Sequence, residues 1–131
     1  MFQIDFIAVL VAAVASFAVG ALWYSPFAFL PAWAKANGVD PTAMSGNPAV
    51  TFGTAFVLTL VSALALAVLA GPNPSLTNAA ALGAVLGACV AASSLSINHL
   101  FAGRAMVVSL IDGGFHTVRF ALMGVVLALL S

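Results

Sequence analysis

The sequence predicts an all-α polytopic membrane protein, a four-transmembrane-helix bundle with a short interfacial segment after its first span. Three observations predict it. The 131 residues are 64% hydrophobic and 5% charged, with mean hydropathy +1.24, whereas a soluble domain carries about 25% charged residues. A chain this short has too much surface for its volume to hide so much apolar material from water. Its apolar residues also fall in four runs, each near the roughly 20 residues that cross a bilayer, rich in Ala and Leu and without the alternation of membrane strands. One transmembrane domain over 1–131, with the lipid bilayer as its surroundings, follows. Zero net charge offers no basic patch and argues against nucleic acid as a partner.

The first run extends from about Phe6 to Tyr24. The preceding MFQID has no Lys or Arg, so it lacks the basic start of a signal peptide, and the run is expected to stay as a span. Its end carries Trp23, Tyr24, Phe27, Phe29 and Trp33, aromatics that favour the headgroup level, and an interfacial segment is expected between Pro26 and Asn37. Ser25 is read as a cap and Pro26 as the start of that turn. Pro31, Gly38, Pro41 and Gly46 then exclude one long helix. The second run covers about Pro48 to Ala70, with Asn47 as N-cap, Pro48 at the first helical position and Gly71-Pro72 as the stop.

The third run covers about Asn78 to Leu100 and the fourth about Ala105 to Leu130. Both are reached through short connections, so spans two, three and four must be antiparallel neighbours. Lys35 and Arg104 lie in the first and third loops, and the opposite loop has no Lys or Arg. The positive-inside rule puts both loops in the cytoplasm and both termini outside. Cys89, the one cysteine, has no intrachain partner and is expected to be a small buried apolar side chain.

Two features bear on packing. Ala8, Ala12, Ser16 and Gly20 recur every fourth residue on span one, and Gly83-x-x-x-Gly87 lies on span three. Small residues at this spacing let helix backbones approach closely; whether within one bundle or between subunits is open at this level. Four short helices make a thin wall around any pathway, so a homo-oligomer is expected.

The chemistry is concentrated in SLIDGGFHTVRF, residues Ser109 to Phe120. At about 100° per residue, Asp112, His116 and Arg119 share a sector of about 60°, with Ser109 alongside. Asp112 is expected about 10 Å below the Arg104 interface, His116 near the midplane, and Arg119 deeper. Asp and Arg near a helix centre cost roughly 2.5–3.5 kcal/mol each, against roughly 0.3–0.6 kcal/mol returned by each large apolar residue. The stripe must therefore be covered, paired or wetted.

Span three offers Ser93, Ser94, Ser96, Asn98 and His99. Ser94 is expected at the depth of Asp112, where hydroxyls could donate to the carboxylate, and Asp112 could orient His116. Three readings compete: a network that only fixes helix register, a site for a proton, ion or small polar solute, and an intramembrane enzyme or metal site. The last would need His116, Asp112 and His99 together, and with His99 expected near the interface their spacing is poor. No catalytic motif, metal site or cofactor is expected.

The stretches GALWYSPFAFLPAW (Gly20–Trp33), NHLFAGR (Asn98–Arg104) and LIDGGFH (Leu110–His116), in this order and spacing, resemble a family of small bacterial membrane proteins known as domain of unknown function 1761. WYSP followed by Phe29 and Trp33 is the more specific part, and the resemblance covers nearly the whole chain. It implies four spans in a bacterial inner membrane and marks Gly20, Trp23, Tyr24, Ser25, Pro26, Asn98, Asp112 and His116. It implies no activity. Read from the residues alone, WYSP is a membrane anchor and turn; alternatively the Tyr24 hydroxyl is a gate or ligand above Asp112. The expected function is binding or permeation of a proton, ion or small solute around Asp112, His116, Arg119 and the polar groups of span three. The alternative is a structural or accessory membrane protein whose stripe only fixes packing.

Overall fold

A computed structural model of the chain describes residues 4–42 and 46–131. Four helices in it are long and apolar enough to cross a membrane, and the chain is read below as a multi-pass membrane protein. Helix α1 (Phe6–Trp23) starts where the Asp5 carboxylate accepts the backbone N–H groups of Ile7 and Ala8, at 3.0 and 3.1 Å. It ends at Tyr24, and the Ser25 hydroxyl turns back to donate to the Leu22 carbonyl, 2.8 Å away. Ser25 thus closes the first helix instead of opening the next. Pro26 lies in the turn that follows, and the interfacial helix α2 (Leu30–Asn37) has Pro31 in its first turn. Gly38 ends α2 at φ 68°, a left-handed conformation that a side chain would disfavour.

Helix α3 (Pro48–Ala70) is capped by the Asn47 side chain, which accepts from the Ala49 N–H at 2.9 Å, and stops at Gly71. The third span runs from Leu76 to Phe101 as α4 (Leu76–Val85), a π-helical stretch Leu86–Ala92, and α5 (Ser93–Phe101). It starts two residues before the expected Asn78 because the Ser75 hydroxyl accepts from the Asn78 N–H, which makes Ser75 the cap. Within the π stretch, i→i+5 bonding adds a residue to the turn. The Ser93 hydroxyl donates to the carbonyls of Cys89 and Val90 there, at 2.6 and 3.2 Å. Cys89 faces outward and is exposed, so it is not the buried side chain expected from the sequence. Helix α6 (Met106–Leu130) is the fourth span.

Helix α6 packs against every other span, most extensively against α4. Glycines make that contact possible. A Cβ on Gly83 would run into the carbonyl of Phe120, and one on Gly124 into that of Ala79. The pair Gly83/Gly87 therefore serves an approach inside the chain. The ladder on α1 does the same: Ala8, Ala12 and Ser16 are buried within the single chain, mainly toward α6 and α3. Gly20, the ladder's last rung, faces a ring and not a helix backbone: a Cβ there would stand 3.4 Å from the edge of Phe115. With these faces filled internally, the small-residue ladder is not available as an oligomer seam.

The bundle is unequal along its length. At the end holding the chain termini, Ala8, Val9, Ala12, Ala63, Leu66, Met123 and Leu127 form the apolar core. At the opposite end α3 keeps Phe52 exposed, and a groove opens between α1, α3 and α6. That half of the molecule carries the polar groups.

Candidate functional site

The residues expected to form one stripe on α6 divide into two clusters, because α1 supplies different partners at different depths. The outer cluster is built on Asp112. Tyr24, at the end of α1, donates its hydroxyl to Asp112 Oδ1 at 2.5 Å, in the range of a charge-assisted O–H···O⁻ bond. His99 from α5 brings Nε2 to 3.7 Å from Asp112 Oδ2, an ion-pair distance too long for a hydrogen bond. Its other ring nitrogen lies 3.2 Å from the Ser109 hydroxyl. Nε2–H toward the carboxylate leaves Nδ1 to accept from Ser109. The side chains of His99 and Asp112 keep 19% and 18% of their exposure, so this cluster is reachable from the end carrying the first and third loops.

Trp23 sets the position of Tyr24. Its indole Nε1 donates to the Ile111 carbonyl at 3.0 Å, one residue before Asp112. The two glycines of LIDGGFH explain how helices come so near. A Cβ on Gly114 would stand 3.0 Å from Trp23 Cζ2, and one on Gly113 would stand 3.1 Å from Ala92 Cβ. One glycine admits the indole and the other admits the third span. The Tyr24 ring meets Trp33 and Phe115 edge-on, with centroids 6.2 and 5.4 Å apart.

The inner cluster is built on Arg119, 8% exposed. Its Nε donates to His116 Nδ1 at 2.9 Å, so that nitrogen carries no proton and His116 is neutral in this arrangement. Arg119 also reaches the Ser16 hydroxyl at 3.4 Å. Its guanidinium carbon lies 4.6 Å from the centroid of Phe120 and 5.7 Å from that of Phe115, where ring faces attract a cation. Among the described residues no carboxylate lies within ion-pair distance of it.

Several sequence expectations are corrected here. Ser94 and Asn98 are exposed and do not meet Asp112, and Ser96 lies half-buried beside Ser109 and Thr117 in a cleft between the third and fourth spans. Of the span-three groups expected to face the stripe, His99 is the one that reaches Asp112, and it lies on Asp112 and Ser109 and makes no bond to His116. Asp112 does not hydrogen-bond His116, which is taken by Arg119. Missed altogether were Ser16 as a partner of Arg119 and the rings of Phe115 and Phe120 beneath the guanidinium. The Phe115–Arg119 spacing of four residues was the available signal for the second. No group of three His, Cys, Asp or Glu residues capable of holding a metal occurs among the described residues.

The family comparison agrees with this arrangement in extent. The family described as "Protein of unknown function (DUF1761)" matches residues 7–128, which takes in all four spans and every residue of both clusters. The chain belongs to this family. No curated protein and no solved structure matches it. Membership of DUF1761 brings no assigned chemistry, and the four-span outline rests on the structure itself.

Proposed function

We propose that this DUF1761 protein binds, and passes across the membrane, a proton or a small cation at Asp112. The observation that carries the reading is a carboxylate inside a span, hydrogen-bonded by Tyr24 at 2.5 Å and paired with a partly exposed His99 at 3.7 Å. A carboxylate, an imidazole and two hydroxyls (Tyr24 and Ser109) in sequence are groups that can each accept and release a proton. Ionisable groups placed in a membrane at such cost are functional candidates by default. The π-helical stretch supports the same reading, since such irregularities concentrate at functional sites.

Lys35 and Arg104 favour a cytoplasmic position for the loop end in a bacterial inner membrane, with the termini in the periplasm. Arg104 donates to the Asn37 side chain and so ties the third loop to α2 on that face. A homo-oligomer belongs to this reading, because four helices alone form a thin wall. The competing reading is structural: the Trp23–Ile111 and Tyr24–Asp112 bonds also fix the register of α1 against α6.

Proton flux into liposomes holding a pH-sensitive dye separates the two. Asp112→Asn retains a side chain of the same shape that can accept from Tyr24, so the transport reading expects folded protein without flux. Flux unchanged in the variant, or absent from folded wild-type protein, refutes it. A variant that fails to accumulate while wild type shows no flux favours the structural reading.

A further inference from the structure

The groove between α1, α3 and α6 touches the Asp112 cluster at Tyr24, which lines its wall, but its other lining residues give it a chemistry of its own. It encloses about 690 Å³, within the roughly 300–1,000 Å³ typical of ligand sites. Its walls are largely apolar, with Phe17 on α1, Phe52, Ala55 and Leu58 on α3, and Phe115 on α6, while Arg119 and His116 stand at its inner end. Phe52 and Leu58 are exposed, so the groove opens sideways between the first two spans.

Arg119 is what makes the groove selective. A guanidinium has five N–H donors, and two are used here, on His116 and Ser16. The only fully buried side-chain polar atom without a partner among the described residues is Trp33 Nε1. The unused nitrogen of Arg119 is therefore not sealed inside the protein and can be reached from the groove. Asp112 is engaged by Tyr24 and His99, and Asp5 and Asp40 lie outside the spans, so the chain brings no counter-ion to this cation. At about 1.5 Å per residue Arg119 lies about 20 Å along α6 from Met106, near mid-bilayer.

From the lone buried cation at the inner end of an apolar, laterally open groove, we infer that this groove binds a single-chain amphiphile with a carboxylate head, of the fatty-acid class. The carboxylate takes the free fork of Arg119, for which a planar two-oxygen acceptor is the natural partner. One negative charge neutralises the site, whereas a dianionic phosphate would leave a surplus in the membrane. The alkyl chain lies along Phe17, Phe52 and Leu58 and leaves between α1 and α3.

The test is photolabelling in lipid nanodiscs with hexadecanoate carrying a mid-chain diazirine, compared with the alcohol of the same chain. Peptide mapping of the wild type should show saturable labelling on α1 and α3 beside the groove, displaced by excess palmitate and at least tenfold weaker with the alcohol. Arg119→Gln should lower labelling by the carboxylate to the level of the alcohol. Ala55→Phe leaves the guanidinium in place and inserts a ring into the groove, so it should remove saturable labelling even if the Arg119 variant does not fold. Equal labelling by acid and alcohol, labels spread evenly over the lipid-facing surfaces, or labelling unchanged by Ala55→Phe would each overturn the inference.

Discussion

Gly87→Ala and Gly53→Ala are the same chemical change on two apolar spans, and the structure assigns them opposite signs. A Cβ on Gly87 would stand 2.5 Å from the His116 carbonyl oxygen and 2.7 Å from Thr117 Cα. Ordinary contacts between carbon atoms lie at about 3.5–4.0 Å, so the third span would have to retreat from α6 by about 1 Å. Overpacking costs typically 1–3 kcal/mol, and with both obstructing atoms in a backbone that cannot rotate away, about 3 kcal/mol applies. Alanine's helix propensity offsets at most about 1 kcal/mol of this. Gly87→Ala should thus destabilise by about 2 kcal/mol. At Gly53 a Cβ meets nothing within 4 Å, so only the propensity gain of up to about 1 kcal/mol remains. Unfolding in mixed micelles by titration with a denaturing detergent, followed by tryptophan fluorescence, measures both. Equal shifts in the two variants, or a Gly87→Ala protein as stable as wild type, would refute the glycine-seam account of how the third span and α6 meet.

Two further predictions concern the polar residues. Tyr24→Phe removes the hydroxyl donor to Asp112 and should cost about 1.5–3 kcal/mol in the same unfolding assay, as for a bond to a charged group; a loss below about 0.5 kcal/mol would mean the bond is not formed in the membrane. In the first loop, the Thr42 backbone N–H and hydroxyl both donate to Asp40, at 2.9 and 2.7 Å, and hold its carboxyl below the usual carboxylate range. The interaction is present above the ordinary pKa and fades as pH falls through the lowered one. An NMR titration of Asp40 should show that low midpoint, and Thr42→Val should raise it only part of the way, because the backbone bond remains.

Much of this molecule is written in its sequence, and the unwritten part has identifiable causes. Span boundaries follow from apolar run length and from local caps such as Asn47 and Gly71, which act within a few residues. The nearness of Tyr24 to Asp112 was legible as a possibility, because both lie a turn or two inside the same face. Ser94 and Asn98 face outward, against the sequence expectation, because the third span is not an uninterrupted α-helix. The π-helical stretch at Leu86–Ala92 rotates everything after it, and no residue in LGACVAA announces that turn. The single stripe became two clusters for a different reason. Periodicity groups residues on one helix, but Tyr24 and Ser16 on another helix decide which of them share a partner, across 88 and 103 residues of chain.

The order in which the ribosome releases the four spans gives the covering of Asp112 and Arg119 a further meaning. Both lie on the fourth span, and although His116, Phe115 and Phe120 of that span also meet Arg119, the partners supplied by other helices, Ser16, Tyr24 and His99, all come from spans made earlier. The helix least able to enter lipid alone is synthesised last of the four, when its partners already stand in the bilayer. Biogenesis of this protein then amounts to docking a polar helix against a waiting cleft, and a lesion in the first span would be felt as failed insertion of the fourth.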